Sequence, residues 1–175
     1  MFKITRKRLA NMSSALTILL SMVLATQALA KGPVAQHVSV GGPDVCVSFF
    51  GVHPGCDGNF SLTANISADG SMSGEYTDRF SKGFGFHAVI DCVSIVGNEA
   101  WVSGWIVQGI VPDLVTGEPV DVVGWPVAAR VRDNGTSANA PADQISWSQI
   151  GDPTSCTEHI DYPAYDVPQG QVVIN

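Results

Sequence analysis

Three sets of side chains in this 175-residue chain have the types and spacing to do chemistry. Asp133, Asn134 and Asp143 supply oxygen donors from a strand end and the loop facing it. Such donors suit calcium, which takes six to eight oxygen ligands. The run Asp133-Asn134-Gly135 is also a turn signal that needs no metal, since Asn and Gly tolerate positive φ. Trp101 and Trp105 lie four residues apart. On a strand they share one face at about 13 Å, a spacing suited to stacking along a glycan chain. Glu158, His159, Asp161 and Asp166 gather beside Tyr162 and Tyr165, and an imidazole among carboxylates can hold a divalent metal.

The signatures of covalent catalysis are missing. The nearest approach to a nucleophile elbow, Gly70-Ser71-Met72-Ser73-Gly74, puts Met72 where the serine should stand. No His-Glu-x-x-His occurs. His87 and Asp91 share a strand face but sit too far apart along it, about 13 Å, to work as an acid–base pair alone. The residues therefore point to no catalytic group and to no cofactor other than calcium.

The elements that must position these side chains are strands. Phe60, Leu62, Ala64 and Ile66 alternate with Ser61, Thr63 and Asn65, the pattern of a half-buried strand. Asp69-Gly70 then makes a hairpin turn into residues 72–80. Phe84, Phe86, Ala88, Ile90 and Cys92 share a face, Gly97-Asn98 turns the chain, and Ala100, Val102, Gly104 and Ile106 return. Val123, Trp125, Val127, Ala129 and Val131 alternate next, with Arg130 and Arg132 pointing outward and Pro126 implying an edge or a bulge. Short strands are expected at 34–40, 45–50, 144–150 and 171–174, and residues 151–169 read as irregular.

About nine strands with short connections predict an all-β antiparallel meander, a closed or partly closed β-barrel, with a two-sheet β-sandwich as the alternative. Several strands are apolar on both faces. Val89, Val93 and Ile95 lie opposite the Ala88 face, and Trp101 and Trp105 lie opposite Ala100. Either a second layer covers that outer face or a partner does.

The N-terminus sets the compartment. Lys3, Arg6, Lys7 and Arg8 precede an apolar run from Ala15 to Leu24, and Ala28-Leu29-Ala30 follows. This is the pattern of a secretory signal peptide over residues 1–30, with the apolar run too short to span a membrane. The expected mature chain, residues 31–175, is a single domain without a membrane span. It keeps five basic and sixteen acidic residues, a formal net charge of −11. That balance repels phosphate and disfavours nucleic acid as a partner. In an extracellular or periplasmic setting Cys46, Cys56, Cys92 and Cys156 imply two disulfides. Three pairings are possible. The favoured one joins Cys46 to Cys56 across a short turn and Cys92 to Cys156 across a long closure.

A longer pattern runs through Gly58-Asn59-Phe60-Ser61-Leu62-Thr63-Ala64, Gly74-Glu75-Tyr76, Ile90-Asp91-Cys92-Val93, Gly97-Asn98-Glu99-Ala100-Trp101, Val131-Arg132-Asp133-Asn134-Gly135, Asp143 and Gly170-Gln171-Val172. It resembles the post-COAP domain family, exported and mostly bacterial domains of unknown function. The resemblance spans residues 58–174 and implies an all-β exported domain without assigning any catalytic residue. The expectation that follows is a secreted binding or structural module for a small molecule, glycan or protein. One alternative is a carbohydrate-binding or cell-surface adhesion module using exposed tryptophan. Another is a loop-based extracellular hydrolase.

Overall fold

The computed structural model describes residues 33–43, 47–48, 51–52, 58–80, 83–167 and 169–175. Residues 1–30, expected to be a signal peptide, and Cys46 and Cys56, with their expected pairing, lie outside these. The described chain from Pro33 onward forms one compact unit.

Among the described residues thirteen strands follow in order: β1 (Val34–Pro43), β2 (Val47–Ser48), β3 (Gly51–Val52), β4 (Asn59–Ser67), β5 (Met72–Arg79), β6 (Gly85–Val96), β7 (Glu99–Pro112), β8 (Pro119–Asp121), β9 (Pro126–Arg132), β10 (Gln144–Ser146), β11 (Gln149–Ile150), β12 (Ala164–Asp166) and β13 (Val173–Ile174). Strands β2 and β3 pair only with each other. The remainder form one antiparallel sheet in the order β12-β10-β9-β7-β6-β5-β4-β1-β13, with β8 beside β7 and β11 beside β9. The sheet curls into a half-barrel that is open rather than closed.

The expected hairpins are present. Asp69-Gly70 joins β4 to β5 and Gly97-Asn98 joins β6 to β7, with both glycines at positive φ. Inward-facing side chains from across the sheet form a single core, among them Val38, Leu62, Tyr76, Ile90, Ile106, Val127, Val131 and Ile145.

Two glycines mark places where neighbouring strands come close. Ile90 lies between Gly74 on β5 and Gly104 on β7 in the cross-strand register. A Cβ on Gly74 would stand 2.2 Å from the carbonyl oxygen of Thr63, and one on Gly104 would stand 2.0 Å from that of Val89. No side chain fits either place, so β5 lies closer to β4, and β7 closer to β6, than a larger residue would allow.

Three local features differ from the sequence pattern. The register shifts between Ile90 and Cys92, placing a bulge at Asp91. An extra residue inverts the alternation, so Val93 enters the core in place of Cys92. Second, Val123 and Trp125 are exposed rather than inward, because β9 begins only at Pro126 and the preceding residues turn at Gly124. Pro126 occupies the first strand position, where its missing N–H is tolerated. Third, the stretch 144–150 is two strands, β10 and β11, both paired with β9. Part of the segment expected to be irregular forms β12 and a single 3-10 turn at Cys156–Glu158.

Candidate functional site

The outer face of β7 is divided in two. Its first half carries Trp101 and is roofed by the segment 152–163; its second half carries Trp105 and is bare. Trp101 is 8% exposed and Trp105 is 52% exposed. The two tryptophans therefore do not form the exposed pair that their spacing allows.

The roof is fastened at several points. The bulge at Asp91 leaves Cys92 free to reach outward, and it forms a disulfide with Cys156. The Cys156 N–H donates to Ser103 Oγ at 3.2 Å. Trp101 Nε1 donates to the Ile160 carbonyl at 2.9 Å. The His159 ring stacks on Trp101 at 4.5 Å between centroids, and its Nε2 is 2.7 Å from Ser94 Oγ. His159 is the one non-glycine residue at positive φ among those described. Its strained backbone is held by these two ring contacts.

Beneath the roof lies an ionic cluster. Arg130 Nη2 donates to both oxygens of Glu99 at 3.0 Å, and its Nη1 bonds Asp161. Arg132 Nε donates to Glu99 Oε1 at 2.5 Å and its Nη1 to Gln144 Oε1 at 3.3 Å. Burial pushes the Glu99 carboxyl upward, but the hydrogen bonds and charges of Arg130 and Arg132 outweigh it and hold the pKa below the usual range. Of the group Glu158, His159, Asp161 and Asp166, each has its own task. Glu158 Oε1 accepts the Ser155 N–H and caps the 3-10 turn, and Asp161 pairs with Arg130. Asp166 accepts from Gln144 Nε2 on the neighbouring strand.

Where the roof ends, a small open cleft of about 200 Å³ remains. It is lined by Trp105 and Pro126, by Asp152, Pro153, Thr154 and Ser155 of the roof segment, and by Asp91, Cys92, Ser103 and Gly104. The Asp152 carboxylate accepts from the Thr154 N–H at 2.9 Å, from the Thr154 hydroxyl and from Tyr162 Oη at 3.0 Å. The Thr154 hydroxyl is the main cause of its lowered pKa, against the upward pull of partial burial. The cleft thus brings together a half-exposed indole and a hydrogen-bonded carboxylate. Sequence reasoning found Trp105 but not this carboxylate. The available signal was Asp152-Pro153-Thr154, an Asp two residues before a Thr, which is an Asx-turn pattern.

His87 and Asp91 do not meet. His87 Nε2 lies 3.7 Å from Glu75 on the adjacent strand, while Asp91 is the bulge residue beside the cleft.

Asp133, Asn134 and Asp143 do come together, at the end of the half-barrel. Asp143 Oδ1 accepts the Asn134 N–H at 2.8 Å, and Oδ2 accepts the Val172 N–H at 2.7 Å. Asp133 Oδ1 takes the Gly135 N–H at 2.8 Å and Oδ2 the Ile174 N–H at 3.3 Å. Asn134 Nδ2 donates to the Ala142 carbonyl at 2.6 Å. Each carboxylate oxygen thus accepts a backbone N–H. Among the described residues no group of three His, Cys, Asp or Glu side chains is placed to hold a metal ion.

A partly buried polar chain links two elements. Tyr76 Oη is 2.7 Å from Ser148 Oγ, which donates to Asp78 Oδ2 at 2.6 Å. It ties β5 to the link between β10 and β11.

Among the described residues no helix is long and apolar enough to cross a membrane. No protein-family model matches the chain, and neither a curated protein nor a solved structure matches it.

Proposed function

We propose that the protein is an exported binding module whose ligand is a glycan held at the Trp105 cleft. The carrying observation is the half-bare outer face of β7. The roof buries Trp101, stops short of Trp105 and lines the resulting gap with Asp152, Thr154 and Ser155. An indole presents a flat apolar face to the C–H side of a sugar ring, and the oxygens lining the cleft suit its hydroxyls. The cleft has room for one ring rather than for an enclosed cofactor.

Export is supported by the basic, apolar and small-residue pattern of residues 1–30. A disulfide that fastens the roof also fits an oxidising compartment. The resemblance to the post-COAP family belongs to the same reading. A hydrolase is less well supported, because no histidine lines the cleft. The closest imidazole–hydroxyl contact, His159 with Ser94, lies at the roofed end of the face.

Titration with a broad glycan panel, followed by tryptophan fluorescence, tests the reading. A saturable change that Trp105→Ala abolishes and Trp101→Phe retains is expected. No response across the panel overturns the glycan assignment, and release of reducing sugar would replace it with hydrolysis.

A further inference from the structure

Beyond the cleft the sheet carries a second unpartnered surface. Strand β7 runs on past β9, and its far end pairs with β8 through Ile110–Asp121, Val111–Val120 and Pro112–Pro119. A second register shift, between His87 and Ala88, makes Val107 a bulge residue, and beyond it the side chains of β7 alternate with the opposite parity. Ile106 and Val122 are in the core, and Val111 and Val120 pack against it. Their neighbours Val107, Ile110 and Val123 therefore face out, and each is about half exposed. The tip adds Leu114 and Val115, 75% and 89% exposed.

This tip is built, not loose. Asp113 Oδ1 accepts the N–H groups of Val115 at 2.9 Å and Thr116 at 2.7 Å, together with the Thr116 hydroxyl at 3.0 Å. The Asp113 N–H closes the turn on the Glu118 carbonyl at 2.8 Å. A fixed turn that holds two aliphatic side chains in water gains nothing for this fold. The apolar face it extends is of the kind that marks an interaction site.

Charge selects the occupant. Asp113, Glu118 and Asp121 edge the apolar residues, and none of the nine Lys and Arg residues falls between positions 83 and 129. An anionic lipid surface would be repelled. A second copy would bring the same acidic hairpin and the same net negative charge. We propose that the outer face of the β7–β8 hairpin docks a basic, amphipathic polypeptide segment of a partner protein. Its apolar side chains cover Val107, Ile110, Leu114, Val115 and Val123, and its Lys or Arg residues meet the acidic edge. This proposal does not rest on the glycan reading, since neither the tip nor these side chains line the Trp105 cleft.

The test is binding of the purified protein to a synthetic amphipathic peptide of lysine and leucine. Controls are the same peptide with glutamate for lysine, vesicles of phosphatidylcholine, and sedimentation of the protein alone. Saturable binding of the lysine peptide is expected, weakened about tenfold or more in Leu114→Ser/Val115→Ser. That double variant keeps every charge and changes only exposed side chains, and an unchanged circular dichroism spectrum confirms its fold. Equal affinity of the double variant would show attraction by charge alone and overturn the proposal. Binding of the glutamate peptide or of vesicles, or self-association that the double variant abolishes, would overturn it too.

Discussion

The Asp143 carboxylate accepts the Val172 N–H at 2.7 Å across the open seam of the half-barrel. Asp143 directly precedes β10, near one edge of the sheet, and Val172 directly precedes β13, the opposite edge. Asp133 repeats the connection one strand further in, from the end of β9 to Ile174. The edges are thus joined by side chains at one end where no continuous backbone ladder joins them. The acidic pair that in sequence offers either a turn or a cation site has the geometry of a clasp.

Removing the clasp is expected to be costly. Asp143 is buried, and its charge-assisted bonds satisfy two backbone N–H groups, that of Val172 being buried. Asp143→Ala leaves both without an acceptor, a loss of about 3 kcal/mol. Urea unfolding should show a midpoint lowered accordingly. Because the carboxylates already face N–H donors, adding calcium or a chelator should leave the melting temperature of the wild-type protein where it is. A rise with calcium would restore the cation reading.

The disulfide should matter both to stability and to the covering of Trp101. Cys92 and Cys156 are 64 residues apart. On the chain-entropy account, a closure of that length stabilises by about 4 kcal/mol. Cys92→Ala/Cys156→Ala should lower stability by roughly that amount. It should also loosen the roof and shift tryptophan emission to the red as Trp101 meets water. A variant as stable as wild type would mean that the hydrogen bonds and ion pairs alone hold the roof.

How far the sequence shows this arrangement depends on the face considered. On the inner face the alternation of β4 to β7 and the turns at Asp69-Gly70 and Gly97-Asn98 are legible, because one buried side imposes a period of two. The outer face is not. Trp101 and Trp105 present the same pattern, and only tertiary contacts from residues 152–163 bury one and leave the other. The bulge at Asp91 is hidden for a related reason. Residues 88–96 are apolar on both faces, so inserting one residue leaves no visible break. Asp133 and Asp143 are legible as a pair, but not the N–H groups of Val172 and Ile174 that they bind near the C-terminus, 29 and 41 residues away.

The cross-strand row Gly74–Ile90–Gly104 gives a prediction about packing. Gly104→Ala would drive a methyl group into the Val89 carbonyl and the Ile90 backbone, at 2.0 and 2.8 Å from the Cβ. These are backbone atoms that cannot swing aside. The substitution should destabilise by about 3 kcal/mol, within the range of overpacked interiors and strained backbones. Gly97→Ala, where a Cβ meets nothing within 4 Å but φ is +62°, should cost only about 1 kcal/mol. Denaturation midpoints of the two variants, measured side by side, separate steric closeness from backbone conformation.

The Glu99 cluster predicts a pH dependence. The Glu99 side chain is 18% exposed and that of Arg130 9% exposed, so their pairing is largely shielded from solvent. Glu99→Leu leaves Arg130 with Asp161 and the Tyr162 carbonyl and Arg132 with Gln144, and should lose about 3 kcal/mol at neutral pH. The sign with pH follows from the lowered pKa of Glu99. In the unfolded chain the carboxyl takes up a proton at a higher pH than in the folded protein. The stabilisation is therefore complete above the unfolded pKa and is lost as pH falls through the folded one. Unfolding free energies of wild type and Glu99→Leu should accordingly differ most near neutrality and converge in acid. A difference that stays constant from neutrality to acid would assign the loss to packing rather than to the ion pairs.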